Sequence, residues 1–155
     1  MKTKFYTTGS ISSGTIQERD LIPSFLSELE YLTEKNKIKG HNRFINRVNK
    51  SIENDDDGSY FDSDEARFDL DELFDKLGDL APPYFCFGSS SGDGADYGFW
   101  LPEEFQEEYD GLKVDDLSEV PKDYRGEVLE VNDHGNMTLW VRNSRGKYRE
   151  IWGIV

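Results

Sequence analysis

At 155 residues the chain has the length of one domain, long enough to bury roughly 70% of its unfolded surface in a single core. Apolar residues make up only 35% of it, but ten Phe, eight Tyr and three Trp supply large areas from few positions, so an aromatic-dominated core is expected. A net charge of −14, with no basic stripe carrying interleaved aromatics, excludes direct binding to nucleic-acid phosphates, and no run of about 18 apolar residues exists to span a membrane.

The first residues, Met1-Lys2-Thr3-Lys4-Phe5-Tyr6, run into Thr, Gly and Ser rather than an apolar leader segment, so secretion is not expected. Lys4 to Thr8 reads as a short first strand and Gly9 to Gly14 as a loop. Asp20 is placed to cap a helix, with Pro23 in the first turn and Ile22, Phe25, Leu26, Leu29 and Leu32 at helical spacing. After Gly40, Phe44, Ile45, Val48 and Ile52 define a second, basic amphipathic helix, and Lys35, Lys37, Lys39, Arg43, Arg47 and Lys50 form the one short cationic run. Glu53 to Asp64 has no apolar period and reads as an exposed loop or an extended helix end. It begins like a calcium loop, with Asp55, Asp57 and Gly58 at the third, fifth and sixth positions. Glu53, Phe61 and Asp64 break that pattern at the first, ninth and twelfth, so no metal is expected. Asp64 is placed to cap a third helix whose Phe68, Leu70, Leu73, Phe74 and Leu77 face inward as far as Gly78, before Pro82-Pro83.

From Tyr84 the period becomes strand-like. Tyr84-Phe85-Cys86-Phe87 and Tyr97-Gly98-Phe99-Trp100 read as a hairpin around the Ser/Gly loop 88–96, central to the core. Pro102 to Tyr109 reads as one or two acidic helical turns and Leu112 to Val114 as a short edge strand. Glu127 to Val131, Met137 to Val141 and Lys147 to Val155 form three strands joined by Asn-rich turns. The fold class is therefore α+β: N-terminal helices on a mainly antiparallel sheet, with a C-terminal three-strand meander, in one globular domain over 1–155.

Three segments carry a resemblance: Gly14-Thr15-Ile16 with Asp20-Leu21-Ile22-Pro23-Ser24-Phe25, Pro82 through Trp100, and Val131-Asn132-Asp133-His134-Gly135-Asn136 with the strand behind it. Together they resemble a family of small uncharacterised proteins encoded by bacteriophage and bacterial genomes. The resemblance implies a setting, the bacterial or phage-infected cytoplasm, and carries over no activity or catalytic residue.

Charge is unevenly spread. Residues 53–80 hold twelve acids against two bases and residues 93–130 thirteen against three, while the two ends are mildly basic. Asp55, Asp56, Asp57, Asp62 and Asp64 in the first block and Glu103, Glu104, Glu107 and Glu108 in the second form either a solvated surface or an acidic face made to meet a basic protein. In the implied setting the second alternative reads as an inhibitor that imitates nucleic acid on a host protein.

A second reading is a ligand-binding protein or small enzyme that uses Ser90, Ser91, Asp93 and Asp96 of the Ser/Gly loop with His134. The loop matches neither the phosphate-loop pattern nor the dinucleotide fingerprint, and no cofactor is expected. Asn, Asp, His and Gly are also ordinary turn residues, which gives His134 a structural alternative. A third reading is a virion component. Cys86, in an aromatic strand, is expected to be a buried, inert thiol, and one Cys with two His cannot supply a four-ligand zinc set.

Overall fold

The spacing of Leu21, Ile22, Phe25, Leu26, Leu29 and Leu32 places six large apolar side chains on one stripe. In the computed structural model, which describes residues 4–155, they form the buried face of helix α1 (Glu18–Asn36). The helix starts ahead of the expected cap at Asp20. The Gln17 carbonyl accepts from the N–H groups of Asp20 and Leu21, and Thr15 Oγ1 accepts from the Gln17 N–H while donating to the Asp20 carboxylate at 2.7 Å. Asp20 therefore braces the entry from inside the first turn rather than from the cap position.

Helix α2 (Asn42–Glu53) buries Phe44, Ile45 and Val48. Helix α3 (Asp64–Asp79) lies against α1 and is capped by Ser63 rather than Asp64, because Ser63 is the last residue with extended backbone and its Oγ accepts from the Ala66 N–H at 3.2 Å. It passes through Gly78, which packing rather than propensity decides here. The expected loop before it contains one tight turn, Ser59–Asp62, that buries Tyr60.

Strands β1 (Gly9–Ser12), β2 (Cys86–Ser90) and β3 (Asp93–Trp100) form an antiparallel sheet in the order β1-β3-β2, against which α1 and α3 pack. Two expectations change here. The first strand lies at Gly9–Ser12 instead of Lys4–Thr8, and most of the Ser/Gly segment is strand, with only Ser91-Gly92 left as the turn. Backbone pairing needs no apolar side chains, so a Gly- and Ser-rich hairpin tip carries the ladder beyond the core without showing the pattern of a buried strand.

The root of the hairpin meets the expectation of an aromatic core. Phe25 makes edge-on contacts with Phe74, Phe87 and Tyr97 at 5.2, 5.0 and 5.7 Å, and Phe99 is fully buried 4.9 Å from Phe87. Cys86, however, is exposed, because it alternates with the inward-facing Phe85 and Phe87.

Contacts divide the chain into two compact units, one ending at Pro102 and one spanning Glu103–Val155. The second holds a short helix α4 (Phe105–Glu108) and a four-stranded sheet of β4 (Leu112–Val114), β5 (Gly126–Val131), β6 (Met137–Arg142) and β7 (Tyr148–Ile154). Strands β5, β6 and β7 form the expected antiparallel meander, and β4 joins its edge in parallel with β5. Adjacent Val128 and Leu129 are both fully buried, so both faces of this sheet carry packed side chains: Val114 and Val120 gather with Val128, while Leu129, Leu139 and Trp152 stand in register. Among the described residues no helix is long and apolar enough to cross a membrane.

Gly98 shows how closely the first sheet is built. It pairs with Ser10 on one side and Gly88 on the other, and a Cβ on it would stand 2.1 Å from the Gly9 carbonyl oxygen, whereas one on Gly88 would meet nothing within 4 Å. Gly98→Ala is expected to lower the free energy of unfolding by about 2 kcal/mol or more, and Gly88→Ala to change it by less than about 0.5 kcal/mol, in urea titrations of the two variants.

Candidate interaction surface

At 100° per residue, Asp64, Phe68, Asp71, Glu72, Asp75 and Asp79 of α3 fall within one arc, opposite the buried Ala66, Asp69, Leu73 and Leu77. All six are exposed. The sequence pattern assigned Phe68 to the core, but the helix turns it outward with 69% of its surface exposed, because Asp69 instead takes the inward position between Ala66 and Leu73. The result is a ridge of five carboxylates along a helix about 24 Å long, interrupted by one aromatic ring.

Asp69 sets this rotation. Only 3% exposed, its carboxylate receives both terminal nitrogens of Arg47 on α2, at 2.7 and 3.3 Å, and the Tyr60 hydroxyl at 2.7 Å. Arg47 also reaches Glu65 at 3.3 Å and lies with its guanidinium carbon 5.4 Å from the centre of the Phe44 ring. Burial first, and the hydrogen bond to Asp69 second, push the Tyr60 hydroxyl well above the ordinary tyrosine range. Nothing in the apolar periodicity singles out Asp69. Its signal was an acid standing on the apolar stripe of a helix, with an Arg at a comparable place on the preceding one.

The other acids singled out from the sequence are placed as follows. Asp56 and Asp57 are exposed, and Asp55 is partly buried. Ser59 donates its hydroxyl to Asp55 and its N–H to Asp57, and its hydrogen bonds hold the Asp57 carboxyl below its usual range. Asp62 stands 3.9 Å from Arg19, and Asp64 the same distance from Arg67. These four aspartates and Asp64 thus flank the N-terminal end of α3 in sequence, and the ridge adds Asp71, Glu72, Asp75 and Asp79 to them. Glu103, Glu104, Glu107 and Glu108 are exposed around the buried Phe105, in the second unit.

The residues of the ligand reading are engaged locally. Ser90 Oγ accepts from the Gly92 N–H, Asp93 accepts from the Ala95 N–H at 3.0 Å, and Ser10 Oγ donates to Asp96, while Ser91 is exposed at the turn. These bonds shape the hairpin tip. His134 lies in the second unit, 82% exposed by side chain and 3.8 Å from Asp133. Its turn is held by Asn132 Oδ1, which accepts from the N–H groups of His134 and Asn136, and by Gly135 at φ 81°. The next turn repeats the device without a histidine: Asn143 Oδ1 accepts from Arg145 and Lys147, and Gly146 has φ 79°. Asn and Gly therefore carry the turn, and His134 occupies the place that Arg145 takes in its copy. Burial, and then Lys76, hold the other histidine, His41, below its ordinary range. Among the described residues no three His, Cys, Asp or Glu side chains converge as a metal-binding group.

Compared with protein-family models, curated proteins and solved structures, the chain matches none of them.

The Asp69 cluster yields a signed pH dependence. Because Tyr60 is harder to ionise in the fold than in the unfolded chain, its contribution is complete below about pH 10 and is lost as pH rises beyond it. Tyr60→Phe is expected to cost about 1.5 kcal/mol at neutral pH, and the gap between wild type and variant in urea unfolding should narrow above about pH 10. Arg47→Met, which leaves the Asp69 carboxylate without its cation, should cost about 2 kcal/mol or more.

Proposed function

We propose that the protein is an acidic interaction protein whose α3 ridge docks on a basic, nucleic-acid-binding surface of a host protein and inhibits it by keeping nucleic acid away. The observation that carries this reading is the cost of the ridge to its own helix. Asp71, Asp75 and Asp79 are like charges four residues apart, and Asp75 and Asp79 sit at the C-terminal end, where the helix dipole disfavours acids. Lys76, the one base of the last turn, lies over the Phe44 ring at 5.2 Å rather than among these acids. A surface needed only for solubility is served as well by mixed charges, which stabilise a helix. Five carboxylates over about 24 Å give one charge per roughly 5 Å, a linear charge about two-thirds that of a nucleic-acid strand at one per 3.4 Å of axis. Phe68, exposed in the free protein, supplies an aromatic anchor that docking would desolvate, the kind of residue on which such interfaces concentrate their binding energy.

The test uses the whole chain and a partner captured from host lysate at low salt. Replacing Asp71 and Asp75 by Asn and Glu72 by Gln is expected to slow association with that partner about tenfold, while leaving stability unchanged or up to about 1 kcal/mol higher. Phe68→Ser should chiefly speed dissociation. Nucleic acid should compete with the protein, and binding should weaken with added salt. A partner that binds with no salt dependence, tolerates both variants and holds nucleic acid at the same time defeats the reading.

A further inference from the structure

Beside the C-terminal end of the ridge the charge reverses. A cavity of about 620 Å³, within the range of small-molecule sites, opens where the C-terminal ends of α1 and α3 meet the stretch before β1. Lys4, Lys35 and Lys37 line it, against the single carboxylate of Asp79, and Phe5, Ile38 and Leu80 give it an apolar wall. In a chain of net charge −14 such a grouping calls for a cause.

One cause is the pair of helix ends, each equivalent to about half a negative charge, which attract cations. That accounts for part of the charge. Three ammonium groups against Asp79 and two half charges leave a net charge of about +1 in the cavity.

Lys37 supplies a second, independent observation. Its N–H donates to the Glu34 carbonyl and the following Ile38 N–H to the Thr33 carbonyl, the two-bond closure that ends helices on a left-handed residue. Lys37 takes that left-handed conformation at φ 54°, where glycine is favoured and a side chain is strained. Helix termination alone is better served by Gly, so keeping a lysine side chain at this position carries a conformational cost.

The cavity wall is also held in place. Asn36 clamps the Phe5 backbone, Oδ1 accepting its N–H at 2.8 Å and Nδ2 donating to its carbonyl at 3.0 Å. The Phe5 and Tyr31 rings meet edge to face at 5.4 Å, and the Lys35 ammonium lies 5.8 Å from both ring centres. Both rings remain substantially exposed, at 39% and 41%, so this packing does not bury them.

We propose that this cavity binds a small aromatic anion, its carboxylate or phosphate held by Lys4, Lys35 and Lys37 and its ring lying against Phe5 and the aliphatic wall. The site shares Asp79 with the end of the ridge, but Asp71, Glu72 and Asp75 do not line it, so variants at those three and at Lys37 test the two readings separately.

The probe is 8-anilinonaphthalene-1-sulfonate, compared with N-phenyl-1-naphthylamine, which has the same aromatic body without the anion. The sulfonate is expected to bind the full chain at one site by fluorescence titration, at least about tenfold more tightly than the neutral analogue. Amide shifts in NMR spectra should move at Phe5, Lys37 and Leu80. Lys37→Gln should weaken it at least about fivefold. Lys37→Gly is the decisive variant: it should raise the melting temperature by about 3 °C and still lose binding, which a purely structural lysine would not do. Competition by 1-naphthoate and 1-naphthyl phosphate then tells which anion the lysines prefer. Shifts that map elsewhere, equal affinity for the neutral analogue, unchanged affinity in both Lys37 variants, or displacement by neither competitor would each overturn the proposal.

Discussion

The first unit depends on one buried carboxylate. Asp69 sits on the inward face of α3, where an acid without partners would be costly, and is tolerated because Arg47 and Tyr60 together satisfy it. Each partner comes from a different element, α2 and the Ser59–Asp62 turn, so a single group ties three segments together. An apolar residue at position 69 could be buried in many orientations. A carboxylate that must meet a guanidinium and a hydroxyl admits few, and this directional demand fixes the rotation of α3.

That rotation determines what the outer surface presents. With Asp69 inward, Asp64, Asp71, Glu72, Asp75 and Asp79 point outward together, and Phe68 is carried with them. Arg47 of α2 is occupied by Asp69 and Glu65 and so does not neutralise the acids of the ridge. The buried ion pair and the exposed ridge are thus two consequences of one helix orientation.

Charge is segregated along this unit. The acids of α3 lie along its length, while the lysines gather at the C-terminal end of α1 around a cavity with an aromatic wall. The two proposals place different classes of partner on these surfaces, a basic macromolecular face on the ridge and a small anion in the cavity. The two turns of the C-terminal meander are built to one plan, each held by an Asn side chain and closed by a left-handed Gly.

The sequence by itself determined the elements whose side-chain period coincides with burial. The stripe from Leu21 to Leu32 and the α2 stripe could be read directly because local spacing decides which face of a helix is apolar, and the turn residues between β5, β6 and β7 marked the meander, and with these the α+β class. It misplaced what neighbours decide. β1 and the Ser/Gly hairpin tip exist through backbone pairing with β3 and show no period, and the caps at Asp20 and Asp64 shifted because hydrogen-bond geometry chooses among adjacent candidates. Of the candidate surface, the acidic content was legible and its arrangement was not. Whether Phe68 or Asp69 faces inward is a choice one residue wide, and it was settled by a guanidinium 22 positions earlier in the chain and a hydroxyl nine positions earlier, partners that only the folded chain brings within hydrogen-bonding distance.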